Sequence, residues 1–185
     1  VSTDDPEIAE ISTRLGAEVP FMRPQALSDD FVGTTSVTRH ATNWALDQGM
    51  ELDAVCCIYA TAVFLQVADL ARGHDLFISG YWEFAFSATD YAASVFRSFG
   101  LTDNGGVQMY YPEHFNSRSQ DLPIAMHDAG QFYWGRPQAW VEELRIFESY
   151  SLPVVIPRWR VQDIDTEDDW KRAEIIAPVI LGLSE

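Results

Sequence analysis

The chain has 185 residues, 47% of them hydrophobic and 22% charged, with a formal net charge of −16. That length and apolar content suit one ordinary globular domain with a substantial buried core, and no apolar run approaches the ~18–20 residues that span a bilayer. The acidic balance argues against a nucleic-acid surface, which needs clustered Lys and Arg. A small polyanion is still within reach of a few arginines or a metal ion.

In chain order, Val1-Ser2-Thr3-Asp4-Asp5 reads as the end of a strand that runs straight into a helix, so the chain is expected to begin inside a domain. Pro6 suits the first turn of that helix, with Thr3 or Asp4 as its cap. Ile8, Ile11 and Leu15 recur at helical spacing until Gly16 stops it. A second helix is predicted from about Thr34 to Gln48, with Val37, Ala41, Trp44 and Ala45 as its apolar face and Gly49 as its stop. Ala54 to Tyr59 is a continuous apolar run, which predicts a strand covered on both faces. Cys56 and Cys57 within it are adjacent, so they read as small buried residues in a reduced, cytoplasmic setting rather than as a bridge.

A short helix follows near Val67 to Leu76, then a strand at Phe84 to Ala88. Tyr91 to Met109 reads as irregular structure or hairpins around Asn104-Gly105-Gly106. Strands are predicted at Gly130 to Trp134 and Val154 to Ile156. Thr166 with Asp169 resembles a capping box for a closing helix, whose apolar stripe is Trp170, Ala173, Ile176 and Ile180. Strands alternating with helices point to one α/β domain with a mostly parallel sheet and an inserted β-rich segment, approximately residues 91–127.

Asp163-Ile164-Asp165 is the most informative local feature. Residues two apart in an extended segment point to the same side, so both carboxylates would share one site while Ile164 faces the core. Two readings fit: a hard-oxygen site for Mg²⁺ carried on phosphates, or acids that lead into a helix N-terminus. Ser119-Gln120-Asp121-Leu122 and His127 to Tyr133 are dense in hydrogen-bonding groups. With a cation such as Arg97 or Arg118 they suit a polyhydroxylated, carboxylated ligand. Arg23-Pro24 and Thr34-Thr35 suit base or phosphate contacts at a helix start, and Thr34 equally suits a plain N-cap. Tyr110, Tyr111 and the tryptophans read either as core or as carbohydrate-stacking surfaces. No nucleophile elbow, zinc spacing or dinucleotide fingerprint is present.

Seven ordered segments together resemble the CMP-sugar synthetases, and most closely the pseudaminic acid cytidylyltransferases. They are Val1-Ser-Thr-Asp-Asp-Pro-Glu-Ile-Ala-Glu10, Gly16-Ala-Glu-Val-Pro-Phe-Met-Arg-Pro24, Leu27-Ser-Asp-Asp30 and Val55-Cys-Cys-Ile-Tyr-Ala-Thr-Ala62, followed by Arg118-Ser-Gln-Asp-Leu122, His127-Asp-Ala-Gly-Gln-Phe-Tyr-Trp-Gly135 and Val161-Gln-Asp-Ile-Asp-Thr-Glu-Asp-Asp-Trp170. The resemblance implies a three-layer, Rossmann-like nucleotide-diphospho-sugar transferase fold. It also implies a reaction in which the anomeric hydroxyl of a nine-carbon acidic sugar attacks the α-phosphorus of CTP and pyrophosphate leaves.

The same resemblance implies that Asp163 and Asp165 hold Mg²⁺, and that Arg23 and Thr34 lie near the cytosine end. Tyr59, Arg97, Gln120, His127, Asp128, Gln131 and Tyr133 would line the sugar pocket, and the inserted segment would reach across a homodimer. The family opens with a strand and a glycine-rich basic loop that cradles the triphosphate. This chain opens after that point, so the resemblance implies a sheet drawn without its N-terminal strand, and a catalytically impaired relative that binds sugar or nucleotide or serves as a partner subunit is the rival reading. Two local departures bear on the sugar: Val63 stands where the family has Pro, and Ala92-Ala-Ser-Val-Phe-Arg97 replaces a Pro-Ile-Gln-Arg pattern. Legionaminic and sialic acids are therefore the alternative substrates.

Overall fold

The sheet is organised around β2 (Phe84–Asp90), a strand whose residues are buried on both faces until its last position. In the computed structural model, which describes residues 1–182, β2 lies between β5 (Met126–Gly135) and β6 (Ser151–Val155), and β1 (Val55–Ile58) pairs with the far side of β5. β2 and β6 are parallel, while β5 runs antiparallel to both β1 and β2. The sheet is therefore mixed. β1, β2 and β6 share one direction, and β5 alone is reversed.

Alternation along β2 divides the core between two faces. Phe84, Phe86 and Ala88 pack with Tyr133, Ala139 and Trp140, the last two from α4 (Pro137–Val141), which α2 (Thr34–Asp47) contacts from outside. Ala85 packs on the other side with Phe132, Val154, Ile156 and Phe77 of α3 (Val67–Ile78). α3 approaches so closely that a Cβ on Gly73 would stand 2.7 Å from the Phe132 ring, so only glycine fits there without a shift. Layers of helix on both faces of the sheet result.

Between β2 and β5 the chain leaves the sheet. It forms a separate antiparallel hairpin, β3 (Phe99–Leu101) with β4 (Val107–Met109), across the turn at Asn104 to Gly106. The N-terminal helix α1 (Pro6–Arg14) follows a single parallel bridge between Thr3 and Met22. Helix α5 (Glu167–Ile180) closes the described chain with the expected capping box between Thr166 and Asp169.

Several expectations need correction. The cap of α1 is Asp5, whose carboxylate accepts from the Glu7 and Ile8 amides, rather than Thr3 or Asp4. Thr34 is the first residue of α2, and Gly33 occupies the cap position without a side-chain bond. The most buried residues of α2 are Thr38 and Thr42, with Val37, Ala41, Trp44 and Ala45 only half-buried beside them. Each threonine hydroxyl donates to the carbonyl four residues back, which removes the penalty for burying it. β1 is an edge strand in the described sheet, so Ile58 is exposed rather than covered on both faces. In α5, Ala173 is buried but Trp170 is turned to the surface.

Candidate active site

β1, β2 and β6 all end at the same margin of the sheet, and β5 begins there. Open α/β sheets bind ligands beyond the carboxyl ends of their strands, because the loops leaving those ends diverge and leave a crevice. Here that margin carries a break in register between β2 and β5. Phe86 pairs with Tyr133 and Ala88 with Asp128, so Ser87 alone stands opposite the four residues Ala129 to Phe132. Ser87 is fully buried, and its Oγ accepts from the amides of both Gln131 (3.1 Å) and Phe132 (3.2 Å). One hydroxyl thus replaces ladder bonds that the bulge removes.

Gly130 sits in this bulge with φ +62°, and its amide donates to Asp128 Oδ1 at 2.9 Å. The other oxygen of Asp128 accepts from the Tyr133 hydroxyl. Burial, with the hydrogen bonds to Asp128 and Tyr59, pushes the Tyr133 phenol far above its ordinary value, so it remains a donor. Tyr59, just beyond β1, packs its ring 5.0 Å from that of Tyr133. His127 lies against Tyr91 with ring centroids 4.7 Å apart, and its Nδ1 is 2.7 Å from the Asp128 carbonyl.

The loop leaving β6 returns across this bulge. Asp163 and Asp165 are both exposed and Ile164 is half-buried between them, as the alternation in the sequence predicts. The Asp163 carboxylate lies directly over Gly130, where a Cβ would stand 3.2 Å from its Cγ and Oδ2. Partial burial, then the nearby charges of Asp165, Asp128 and Asp169, raise the Asp163 pKa above the usual carboxylate value, partly offset by the Ile164 amide. Asp169 belongs to the cap, accepting from Thr166, Asp165 and Gln162. The ion pairs among the described residues leave Asp128, Asp163 and Asp165 without a Lys or Arg partner.

Carboxylates gathered around Asp163 without a cationic partner favour a bound cation. Among the described residues no three His, Cys, Asp or Glu side chains converge tightly enough to hold a metal unaided. Two exposed carboxylates on one short loop suit a hard divalent ion that keeps most of its water, the habit of Mg²⁺.

The other residues singled out by sequence are dispersed. Arg23 is tied to Asp4 Oδ1 (2.9 Å) and Ser28 Oγ (3.1 Å), beside the Thr3–Met22 bridge. Arg97 and Gln120 are exposed in the excursion between β2 and β5, where Arg97 donates to the Ser117 carbonyl. Gln131 is buried and donates its side-chain amide to the Arg160 carbonyl at 3.1 Å. Sequence reasoning passed over Ser87, Gly130, and the Asp90–Arg158 ion pair (2.8 Å) at the end of β2. A serine inside the apolar run Phe84 to Ala88, and Asp-Ala-Gly as turn chemistry, were the available signals.

No family model matches the chain. It is 42% identical over 179 residues to the pseudaminic acid cytidylyltransferase of Campylobacter jejuni subsp. jejuni serotype O:2, an alignment covering 97% of this chain and 77% of that protein. A Helicobacter pylori protein described as a pseudaminic acid cytidylyltransferase and UDP-2,4-diacetamido-2,4,6-trideoxy-beta-L-altropyranose hydrolase is 33% identical over 168 residues, covering 89% of this chain and 31% of its own length. N-acylneuraminate cytidylyltransferase B of Danio rerio is 26% identical over 183 residues, covering 94% of this chain and 40% of its own. Among solved structures, a CMP:2-keto-3-deoxy-manno-octonic acid synthetase complexed with CTP matches with a TM-score of 0.62 at 12% identity, over 98% of this chain and 80% of that one. The sheet with its flanking helices is thus the fold of that synthetase.

Proposed function

Since the chain belongs to the pseudaminic acid cytidylyltransferase family, we propose that it transfers CMP from CTP to a nine-carbon acidic sugar, pseudaminic acid, and releases pyrophosphate. The observation that carries this reading is the loop of Asp163 and Asp165 lying over the β5 bulge beside Asp128, with no Lys or Arg paired to these three carboxylates among the described residues. Asp163 and Asp165 hold Mg²⁺, which when bound neutralises charge on the triphosphate and on departing pyrophosphate, the principal demand of a phosphoryl-centred displacement.

The chain's own residues supply position. Asp128 is fixed from two sides, by Gly130 N–H and by the Tyr133 hydroxyl, so it presents a rigid acceptor to sugar hydroxyls. Tyr59 and His127 flank it, Gln131 forms the floor, and Arg97 and Gln120 come from the excursion to the sugar's carboxylate side. Arg23 and Thr34 serve the cytosine end. The exposed apolar side chains of the hairpin, Phe99, Leu101 and Val107, support a homodimer built on that excursion. The described helices include none long and apolar enough to cross a membrane; the reaction in this reading is a cytoplasmic one that precedes glycan assembly.

Pyrophosphate release from CTP and Mg²⁺, assayed across pseudaminic, legionaminic and sialic acids, tests the reaction and the sugar together. Asp163→Asn and Asp165→Ala are expected to abolish turnover. Because the folded-state pKa of Asp163 is raised, its ionised form opposes folding at neutral pH, and Asp163→Asn is expected to melt slightly higher than wild type. Solvent screening limits that gain to a few tenths of a kcal/mol, about the scale of exposed charge pairs. Turnover near the wild-type rate in either variant refutes the assignment.

A further inference from the structure

The segment that carries Asp163 and Asp165 belongs to no strand or helix, and beneath it lies a buried polar network. Arg160 is nearly inaccessible, and its Nη1 donates to Asp69 Oδ2 on α3 at 2.6 Å. The second oxygen of Asp69 accepts from Arg72, at 3.0 Å, and Arg72 also donates to the Val155 carbonyl at the end of β6. The Arg160 carbonyl accepts from the buried Gln131 amide in the β5 bulge. Gln162, also buried, donates to the Asp163 carbonyl at 2.7 Å and to Asp169 at 3.2 Å. Three elements (α3, the β5 bulge and the start of α5) therefore converge on the three residues preceding Asp163.

A buried ion pair is a poor source of net stability, because desolvating both charges offsets most of their attraction. Its geometry, in contrast, is directional: the guanidinium and carboxylate fix one another, and the backbone at Arg160 is fixed with them. We infer that Asp69 and Arg160 are positioning residues for the acidic pair, holding the loop at the height over Gly130 where Asp163 and Asp165 accept a divalent cation. The inference rests on the proposed Mg²⁺ role of that pair. It concerns two buried residues, one of them on a helix that no motif connects with the reaction.

Mn²⁺ binding to the whole protein, followed by electron paramagnetic resonance with and without CTP, tests it independently of turnover. Asp69→Asn keeps the side-chain shape and removes the charge. It is expected to weaken Mn²⁺ binding by about 10–100-fold, the usual loss when a group supporting a metal ligand is removed. The Mg²⁺ concentration for half-maximal turnover should rise in parallel, with saturating Mg²⁺ restoring most of kcat and the KM for the sugar little changed. Arg160→Lys, which keeps a cation beside Asp69, should fall between Asp69→Asn and wild type and provides the same readout if Asp69→Asn folds poorly. Unchanged Mn²⁺ affinity and Mg²⁺ requirement in folded Asp69→Asn or Arg160→Lys overturns the inference. Asp163→Asn separates the two levels: if it too binds Mn²⁺ normally, the metal assignment itself fails, whereas if it alone loses Mn²⁺, only the positioning role fails.

Discussion

Replacing Gly130 with alanine strikes the β5 bulge and the acidic loop at once. With φ at +62° the backbone lies in the left-handed region, where a Cβ costs about 1–2 kcal/mol. The added Cβ would also stand 3.2–3.3 Å from all three carboxylate atoms of Asp163. That approach is tight rather than impossible, and the exposed carboxylate yields by a few tenths of an ångström. In a domain of this size, about 1–2 kcal/mol lowers Tm by about 2–8 °C. A 1 Å misplacement in an active site costs on the order of 100-fold in rate, so a shift of a few tenths is expected to cost about threefold to tenfold. Calorimetric melting measures the first effect, and pyrophosphate release at saturating CTP measures the second. Gly130→Asn separates them, because asparagine tolerates the left-handed region yet crowds Asp163 as alanine does: its Tm should lie nearer wild type while its turnover stays low. Wild-type melting and turnover in Gly130→Ala would refute the reasoning.

Ser87→Ala leaves the amides of Gln131 and Phe132 without their side-chain acceptor in a fully buried place. It is expected to destabilise the protein by about 1–3 kcal/mol, and a denaturation curve superimposable on wild type would contradict the role given to that hydroxyl. Leu101→Glu combined with Val107→Lys puts opposite charges on facing hairpin positions. The fold should survive and light scattering should report a monomer, whereas a persisting dimer removes the hairpin from the interface. Burial, and then the neighbouring thiol, push Cys56 up to about 12, and burial pushes Cys57 upward too. Both should resist alkylation at pH 8 until urea is added, and rapid labelling of the native protein would contradict this.

Helices α1, α2, α3 and α5 and the acidic loop were legible because their signals are local, whereas the short α4 was not predicted. Pro6, Gly16 and Gly49 punctuate α1 and α2, and the alternation Asp163-Ile164-Asp165 alone predicts two exposed carboxylates flanking a half-buried side chain. What the sequence hid depends on distant partners. An apolar run carries no direction, so nothing in Gly130 to Trp134 announces that β5 opposes its neighbours. Ile58 looks as buried as Val55 until the sheet shows which strand is the edge. Thr38 and Thr42 read as polar because their hydroxyl bonds to the preceding helical turn are invisible in composition. Arg160 and Gln162 precede Asp163 with the same period of two, a pattern that registers as support for the loop only once Asp69 and Gln131 are seen beneath it.

The break opposite Ser87 divides β5 into two lengths with independent registers. Phe132 to Gly135 is locked between β1 and β2 by large core side chains, whereas Met126 to Asp128 meets only the end of β2. The inner register is held by pairing on both sides and does not depend on the leading length, although Asp128 ties the two together through the Tyr133 hydroxyl. A strand built in this way can give at its leading end without unpairing its core.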